Sequence, residues 1–327
     1  MDEEQSLEKV FESVLHENIN ELIKSGKSEQ DLDTTDFKNA YSELVEKIAS
    51  DTVDVFKATM YEKISEEQIL TDKFVAHQKG MWLKSFTAYE SLYIIATETA
   101  EAYGSYLNEL GEKEKVDKTF TFAVLRELHG RACQIYLEIL CLIQNGFADG
   151  AFARWRSLYE ISIVSYFIFE NGEEVAKKFM SSSNSEDEWH DWAKNAECFQ
   201  EKRYQKKNIT FADLQKTTIY SENEVWKRQY KLANKIIHAS PQGIFGRLSL
   251  KEPTEAISAG RSDFGIDIPA EHAAISLCQI TNIFLSLFPY VEGNVAMKYI
   301  SKWVVFIQEC LTEDRKHFDN EEKPKIY

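Results

Sequence analysis

The sequence lacks the short motifs that identify several large enzyme classes. It contains no G-x-G-x-x-G, G-x-x-x-x-G-K-[ST], G-x-S-x-G or H-E-x-x-H pattern, which argues against the common dinucleotide, phosphate-loop, serine-hydrolase and zinc-protease sites. The Glu-x-x-His pairs of a di-iron helical bundle are also missing, and the nearest pattern, Asp187-x-x-His190, lies on a polar segment. We therefore expect neither a metal ion nor a cofactor.

Residues that interrupt secondary structure are scarce, with five prolines and thirteen glycines among 327 residues. A β-sandwich or barrel needs a turn about every ten residues. The longest apolar runs, such as 161–169, reach about half of the ~20 residues that a membrane helix requires. The five cysteines form no C-x-x-C pair, as is usual in a reducing compartment, and the start MDEEQSLEKVFE lacks the apolar segment of a secretory signal. These features predict a cytoplasmic, all-α protein.

Basic residues are fewer than acidic ones, with 38 Lys and Arg against 54 Asp and Glu, which gives a net charge of −16. This balance argues against a general nucleic-acid coat protein. The deficit is concentrated in residues 1–110, which hold 23 acidic and 10 basic residues (−13), while the remaining 217 hold 31 and 28 (−3). A local basic site therefore fits the second part. The acidic N-terminal helices are a candidate surface for a protein partner, and anionic membranes would repel them.

Apolar residues at three- and four-residue spacing predict most of the helices. We assign one helix to residues 7–23, a second to 37–56, and a third that starts at the capping pattern of Ser65 and Gln68. One or two aromatic-rich helices follow over 74–110. The predicted organisation is an acidic N-terminal helical region (1–115), a helical bundle core (116–312) and a charged, frayed tail (313–327).

A helical hairpin forms the centre of the predicted bundle. One helix over 118–144 ends at the Asn-Gly pair 145–146, a common stop signal. A second helix, with Asp149 as its cap, runs to a similar Asn-Gly pair at 171–172. Two helices joined by so short a turn should lie antiparallel.

A long irregular loop is predicted between 239 and 269, where three prolines and four glycines occur. Such loops are uncommon inside compact domains and often carry function. We expect a short β-hairpin at 244–250, and Pro269 suits the first turn of the next helix. The predicted fold is thus an all-α multi-helix bundle with one long loop.

Three charged residues, Arg154, Arg156 and Glu160, lie in the otherwise apolar second helix of the hairpin. Arg156 and Glu160 are four residues apart and can pair along one face. Because an unpaired buried charge is costly, two interpretations stay open. The arginines belong either to an internal ion-pair network with acids such as Glu127 and Glu138, or to a site that binds a phosphate group.

The most basic helix precedes the irregular loop, in the segment WKRQYKLANKIIHASPQG. Its candidate ligand-binding residues are Arg228, Lys231, Asn234 and Lys235, and His238 closes it. A histidine at a helix C-terminus is favoured by the helix dipole without any function. It can also act as a general acid or base near neutral pH, and a basic run is often only a solvated face.

Two stretches carry a family resemblance. The segment LHGRACQIYLEILCLIQNGFADGAFARWRSLYE (128–160) and the later KIIHASPQG resemble the bacterial domain-of-unknown-function family 5677. The shared features are a small-residue turn before an A-x-x-R-x-R-x-L-x-E helix, and a distal histidine followed by a small residue. The resemblance covers residues 120–290 and implies no particular activity.

The chain is also loosely similar to HEPN-type helical domains, metal-independent ribonucleases of toxin and phage-defence systems. Their motif is an arginine, often followed by a polar residue, then four to six residues and a histidine. Here nine residues separate Arg228 from His238, and Lys231 has the right spacing but is not arginine. The sequence departs from the motif at this point.

Two functions therefore stand as hypotheses, and both expect a polar cavity beneath the 239–269 loop. The first is a HEPN-like, RNA-directed enzyme of a bacterial defence or toxin system, in which His238 acts on the 2′-hydroxyl and Lys231 assists the arginines. The second is a non-catalytic helical module that binds a protein or a small anion. The residues expected around the cavity are Arg154, Arg156, Glu160 and His238. We also expect a homodimer, since two-fold dimers are the commonest oligomers.

Overall fold

The computed structural model describes residues 35–109, 117–184, 190–218, 224–238, 240–250 and 259–320, together with single positions between 9 and 24. Within these ranges the regular structure is helical and no β-strand occurs, which confirms the predicted all-α class. None of the described helices has the length and apolar character needed to cross a lipid bilayer. Contacts divide the chain into two compact units, Met1–Lys73 and Phe74–Tyr327.

The helices are numbered here in chain order over the described ranges. They are α1 (Thr35–Met81), α2 (Leu83–Glu109), α3 (Thr119–Gln144), α4 (Ala148–Ser181), α5 (Lys202–Gln205), α6 (Phe211–Thr217), α7 (Glu224–Ile237), α8 (Pro241–Phe245), α9 (Asp267–Leu285) and α10 (Val291–Asn320). Short 3-10 helices occupy Ser182–Asn184, Asp191–Asn195 and Glu197–Phe199.

Helix α1 is continuous where the sequence predicted two helices, so the predicted start at Ser65 and Gln68 is wrong. The physical reason is that no proline and no glycine before Gly80 interrupts it, and a capping pattern inside a helical stretch does not by itself end a helix. The helix expected over 7–23 lies largely outside the described residues.

The central hairpin of α3 and α4 is confirmed. Gly146 adopts φ +76 in the turn, and a Cβ there would lie 2.5 Å from Cζ of Phe74, so only glycine fits. Its carbonyl accepts a hydrogen bond from the Ser262 amide at 3.0 Å. Large side chains such as Tyr136 and Trp155 are fully buried on the two helices, which places the hairpin in the core.

The far end of the hairpin is fastened by Glu173. Its carboxylate accepts hydrogen bonds from the Phe120 amide at 2.8 Å and from the amide and hydroxyl of Thr121 at 3.0 and 2.9 Å. These amides lie in the first turn of α3, where a helix leaves its donors unpaired, and a negative charge there also interacts favourably with the helix dipole.

The predicted end of α4 at 171–172 is a kink in the structure. Gly172 has φ 71, and α4 continues to Ser181.

Helices α2 and α9 pack against the hairpin, and α10 packs against α2 and α9. Trp155 donates to Ser276 Oγ on α9 at 3.1 Å, and Trp303 on α10 donates to the Ala88 carbonyl on α2 at 2.9 Å. Helix α10 extends to Asn320, with Phe318 against Trp82, so the tail expected to fray from 313 is helical over 313–320. The predicted boundary near 115 stays a prediction, and α2 on its N-terminal side packs against this core.

The predicted loop at 239–269 contains a short helix, α8, where a β-hairpin over 244–250 was expected, so that prediction is wrong. Ser240 caps α8 by accepting a hydrogen bond from the Gly243 amide. Residues 251–258 lie outside the described ranges. Pro269 lies in the first turn of α9, as predicted.

Asp149 was predicted to cap α4, but it holds the start of this loop instead. Its carboxylate accepts hydrogen bonds from the Leu248 amide at 2.7 Å and the Ser249 hydroxyl at 2.6 Å, and α4 begins at Ala148. The loop is therefore anchored to the turn of the central hairpin.

Candidate functional site

Helix α7 presents two contrasting faces. Trp226, Tyr230 and Ala233 lie on the side that packs against the core, where Trp226 stacks on Tyr159 of α4 with ring centroids 5.7 Å apart. The spacing of four and three residues puts these side chains on one stripe. The opposite side faces solvent.

The solvent face of α7 carries the basic residues of the candidate site. Arg228, Lys231, Lys235 and His238 are all exposed, and their spacing of three, four and three residues places them within an arc of about 80°. Lys227 pairs with Glu224 at 2.8 Å, whereas Arg228, Lys231 and Lys235 form no ion pair with any other described residue. The result is a basic stripe, defined here as Arg228, Lys231, Lys235 and His238.

Arg156 and Glu160 form an ion pair, as their spacing predicted, with Arg156 Nε 2.9 Å from Glu160 Oε1. The Tyr230 hydroxyl of α7 donates to the same carboxylate oxygen at 2.6 Å, and Arg156 Nε lies 3.4 Å from that hydroxyl. Burial, together with the hydrogen bond to Glu160, raises the pKa of Tyr230 to about 12. Burial opposes the charge on Arg156, but Tyr230 and Glu160 outweigh it and raise the pKa of Arg156.

Arg154 lies on a different side of α4. Two residues along a helix correspond to a rotation of about 200°, and Arg154 therefore turns towards α3, where its Nε contacts Glu138. Arg131 lies 3.7 Å from the same carboxylate. Glu138 thus pairs with two arginines, as one interpretation expected, although the pairs are partly exposed. Glu127, which the same interpretation named, pairs with Arg126 instead.

The predicted convergence of these residues with His238 is not seen. His238 lies eight residues beyond Tyr230, about 12 Å along the axis of α7, and its imidazole forms no hydrogen bond or ion pair with the described residues. Two cavities of about 550 and 650 Å³ occur in the described part of the second unit. Neither is lined by Arg154, Arg156, Glu160 or His238.

Asn234 is half-buried between the two faces of α7. Its carbonyl accepts the backbone amide of His238 at 3.2 Å, so its backbone belongs to the last turn of the helix. Among the predicted site residues, the structure therefore brings together Arg156 and Glu160, and separately the basic stripe.

An aromatic cluster beneath α7 was not predicted from the sequence. The Trp155 and Trp226 ring centroids are 5.6 Å apart, and the His272 ring stands edge-on to Trp155 at 4.9 Å. Burial lowers the pKa of His272, against the charge of Glu271. The four-residue spacing of Trp226 and Tyr230 could have predicted that α7 turns these two rings towards the core. Nothing in the sequence indicated that α9 would contribute His272 to the cluster.

Two other histidines, His129 and His190, have pKa values that burial lowers. Burial lowers the pKa of His129 to about 4, and its Nε2 lies 3.1 Å from Thr281 Oγ1, so it is a neutral core residue. Burial also lowers the pKa of His190, while the charge of Glu160 acts in the opposite sense. Within the described ranges, no group of three or more His, Cys, Asp or Glu side chains is arranged to hold a metal ion.

Comparison with known proteins finds one similarity, and it covers the segment that contains the candidate residues. Residues 122–255 match a family of unknown function, DUF5677, in agreement with the resemblance noted for 128–160 and for the segment around His238. No curated protein and no solved structure matches the chain. The matched segment runs from α3 to α8 and so includes both the α4 ion pairs and the basic stripe.

Proposed function

We propose that this chain is a non-catalytic, RNA-directed binding module whose basic stripe on α7 contacts backbone phosphates. The observation that carries the proposal is the set of three cations, Arg228, Lys231 and Lys235, exposed on one helix face without an ion pair to any described residue. In a chain of net charge −16, such a cluster concentrates positive potential where the rest of the surface has little. Phosphate contacts of this kind provide sequence-independent affinity.

The arginines of α4 argue against catalysis, because each already pairs with a carboxylate. Arg154 contacts Glu138 and Arg156 contacts Glu160, and each arginine side chain is only about a third exposed or less, 26% and 32%. A phosphate would have to displace a carboxylate from either guanidinium and leave that carboxylate poorly compensated. Transition-state stabilisation needs donors aimed at the reacting group before it arrives, and these donors are already engaged.

The test is RNA binding as a function of salt. Each phosphate neutralised on a single strand contributes about −0.7 to the slope of log K against log salt. Three contacts therefore predict a slope near −2, and a loss of affinity of about 20-fold between 50 and 200 mM salt. Fluorescence anisotropy with a labelled single-stranded RNA measures both quantities.

The decisive variant replaces the three cations of the stripe by glutamine. We expect Arg228→Gln/Lys231→Gln/Lys235→Gln to abolish most of the salt dependence and to weaken binding at least tenfold at 50 mM salt. The matched control removes three exposed lysines of α10, Lys298, Lys302 and Lys316, and so makes the same change in net charge elsewhere. Equal losses in the two variants, or no binding by the wild type, would reject the proposal.

RNA cleavage is a second candidate, favoured by one observation. His238 is exposed on the same face as Lys231 and Lys235, so an RNA strand lying along the stripe would reach its imidazole. In metal-independent cleavage, His238 would act as general acid or base on the 2′-hydroxyl. A role in a defence or toxin system rests on the HEPN resemblance alone. Incubating RNA in EDTA with the wild type and with His238→Ala distinguishes the two functions. Cleavage by the wild type that is lost in the variant supports the enzyme, and intact RNA with both proteins supports the binding module.

A further inference from the structure

The basic stripe ends beside the most exposed of the aromatic rings in the described ranges. Phe245, at the end of α8, is 83% exposed, and its neighbour Ile244 is 55% exposed. Ile237, next to His238, is 44% exposed. Single exposed apolar residues are common on protein surfaces, but an aromatic ring next to a row of exposed cations is the combination found where single-stranded nucleic acids bind.

Backbone contacts hold α8 against the last turn of α7. The Ser240 hydroxyl donates to the Lys235 carbonyl at 3.0 Å, and the Ser240 amide donates to the His238 carbonyl at 2.6 Å. A Cβ at Gly243 would lie 2.1 Å from the same Lys235 oxygen, so only glycine allows this approach. Phe245 follows two residues later, and its Cα therefore lies within about 11 Å of that oxygen, because two residues span at most about 7 Å.

The Phe245 ring has no structural role in the described part of the chain. It does not belong to the apolar core or to the residues packed against it. It also makes no ring contact with another described residue. Its exposure is therefore not a by-product of packing, and removing the ring should leave the fold intact.

We propose that Phe245 stacks on an unpaired base of a single-stranded RNA whose phosphates lie along the basic stripe. The inference rests on the proposed function of that stripe and names the form of RNA that it takes. A single strand offers base faces of any sequence to an aromatic ring. The shortest single-strand sites cover about four nucleotides, which is enough to join a phosphate at Lys235 to a base at Phe245.

Duplex RNA offers no such contact. Its bases are stacked inside the helix, and its deep, narrow major groove excludes side chains. The stripe can still attract the phosphates of a duplex, because that attraction is independent of sequence and of base pairing. The two forms of RNA should therefore share the contribution of the stripe and differ in the contribution of Phe245.

Fluorescence anisotropy with a labelled single strand, and with the duplex of the same sequence, tests the proposal. Phe245→Ala should weaken binding of the single strand about fivefold or more, the lower limit of what stacking on one base contributes. The slope of log K against log salt should stay near −2, because the substitution removes no charge. Affinity for the duplex should stay within about twofold of the wild type.

Two further substitutions separate stacking from apolar contact. Phe245→Trp keeps an aromatic face and should retain the affinity of the wild type, whereas Phe245→Leu keeps only an apolar side chain and should lose as much as Phe245→Ala. Tyr61→Ala is the matched control, because Tyr61 is also a highly exposed ring, at 79%, but lies on α1, away from the stripe in sequence. It should leave RNA affinity unchanged.

The outcomes distinguish this proposal from the proposed function on which it rests. Unchanged single-strand affinity in Phe245→Ala, equal losses for the single strand and the duplex, or full affinity in Phe245→Leu each overturn the stacking role and leave the phosphate contacts of the stripe standing. Binding to phosphatidylserine vesicles that Phe245→Ala abolishes, with RNA affinity unaltered, also overturns it and assigns the ring to a membrane surface. Absence of RNA binding by the wild type overturns both proposals.

Discussion

The Tyr230 hydroxyl makes a polar contact between α7 and the core hairpin, and Tyr230→Phe removes it. The Tyr230 hydroxyl donates to Glu160 at 2.6 Å and stands beside Arg156. Phenylalanine keeps the ring and its packing on Tyr159 and Phe211. The substitution therefore isolates the hydrogen bond from the apolar contact.

The magnitude follows from the charge and the exposure of the acceptor. A hydrogen bond to a charged group contributes about 1.5–3 kcal/mol when water is excluded. Glu160 and Arg156 are 31% and 32% exposed, so water replaces part of the lost bond, and the ion pair itself contributes little beyond about 1 kcal/mol. We expect Tyr230→Phe to lower the free energy of unfolding by about 1 kcal/mol, or about 2–4 °C in Tm.

Tryptophan fluorescence is a suitable probe, because Trp155 and Trp226 face each other across this contact. Tyr204→Phe serves as the control, since it removes a tyrosine hydroxyl outside this network. A double-mutant cycle with Glu160→Gln should give a coupling of about 0.5–1 kcal/mol. Additive effects would refute the hydrogen-bond argument.

The same variants bear on function. If Arg156 is held only for structure, Glu160→Gln should leave RNA affinity within about twofold of the wild type. Tighter RNA binding by Glu160→Gln would mean that Arg156 is an anion site masked by its carboxylate, and it would reopen the catalytic hypothesis.

Three further predictions concern the core hairpin. Gly146→Ala should lower the free energy of unfolding by about 2 kcal/mol or more, because the turn needs positive φ and the new methyl meets Phe74; chemical denaturation measures it, and a neutral effect would contradict the turn geometry. Glu173→Ala should cost about 1–2 kcal/mol by uncapping α3, and Glu174→Ala, one residue away, is its control. His129 stays neutral in the folded chain down to pH about 4 but takes up a proton near 6.5 when unfolded. The stability that depends on it is therefore complete above 6.5 and falls as the pH drops towards 4, by about 2 kcal/mol at pH 5. His129→Gln should lack this part of the pH dependence, and an identical pH profile would show that His129 is not the cause.

The turn at 145–146 and the pairing of Arg156 with Glu160 could be predicted because each depends on a few neighbouring residues. Gly146 is needed for the conformation of its own backbone, and a four-residue spacing puts two side chains on the same helix face whatever surrounds the helix. Asp149 shows the limit of this reasoning. Its position suggested a cap for α4, but its partners, Leu248 and Ser249, lie about a hundred residues away.

The sequence by itself determined the helical class, the central hairpin and the basic face of α7, because these follow from periodicity, glycine and charge along short stretches of chain. Tertiary structure decided which charges meet. It turned Arg154 towards Glu138, brought Tyr230 onto Glu160, and left His238 about 12 Å further along α7. Which helix faces which depends on the fit of whole apolar surfaces, to which residues far apart in the chain contribute, and that information is not contained in any local pattern.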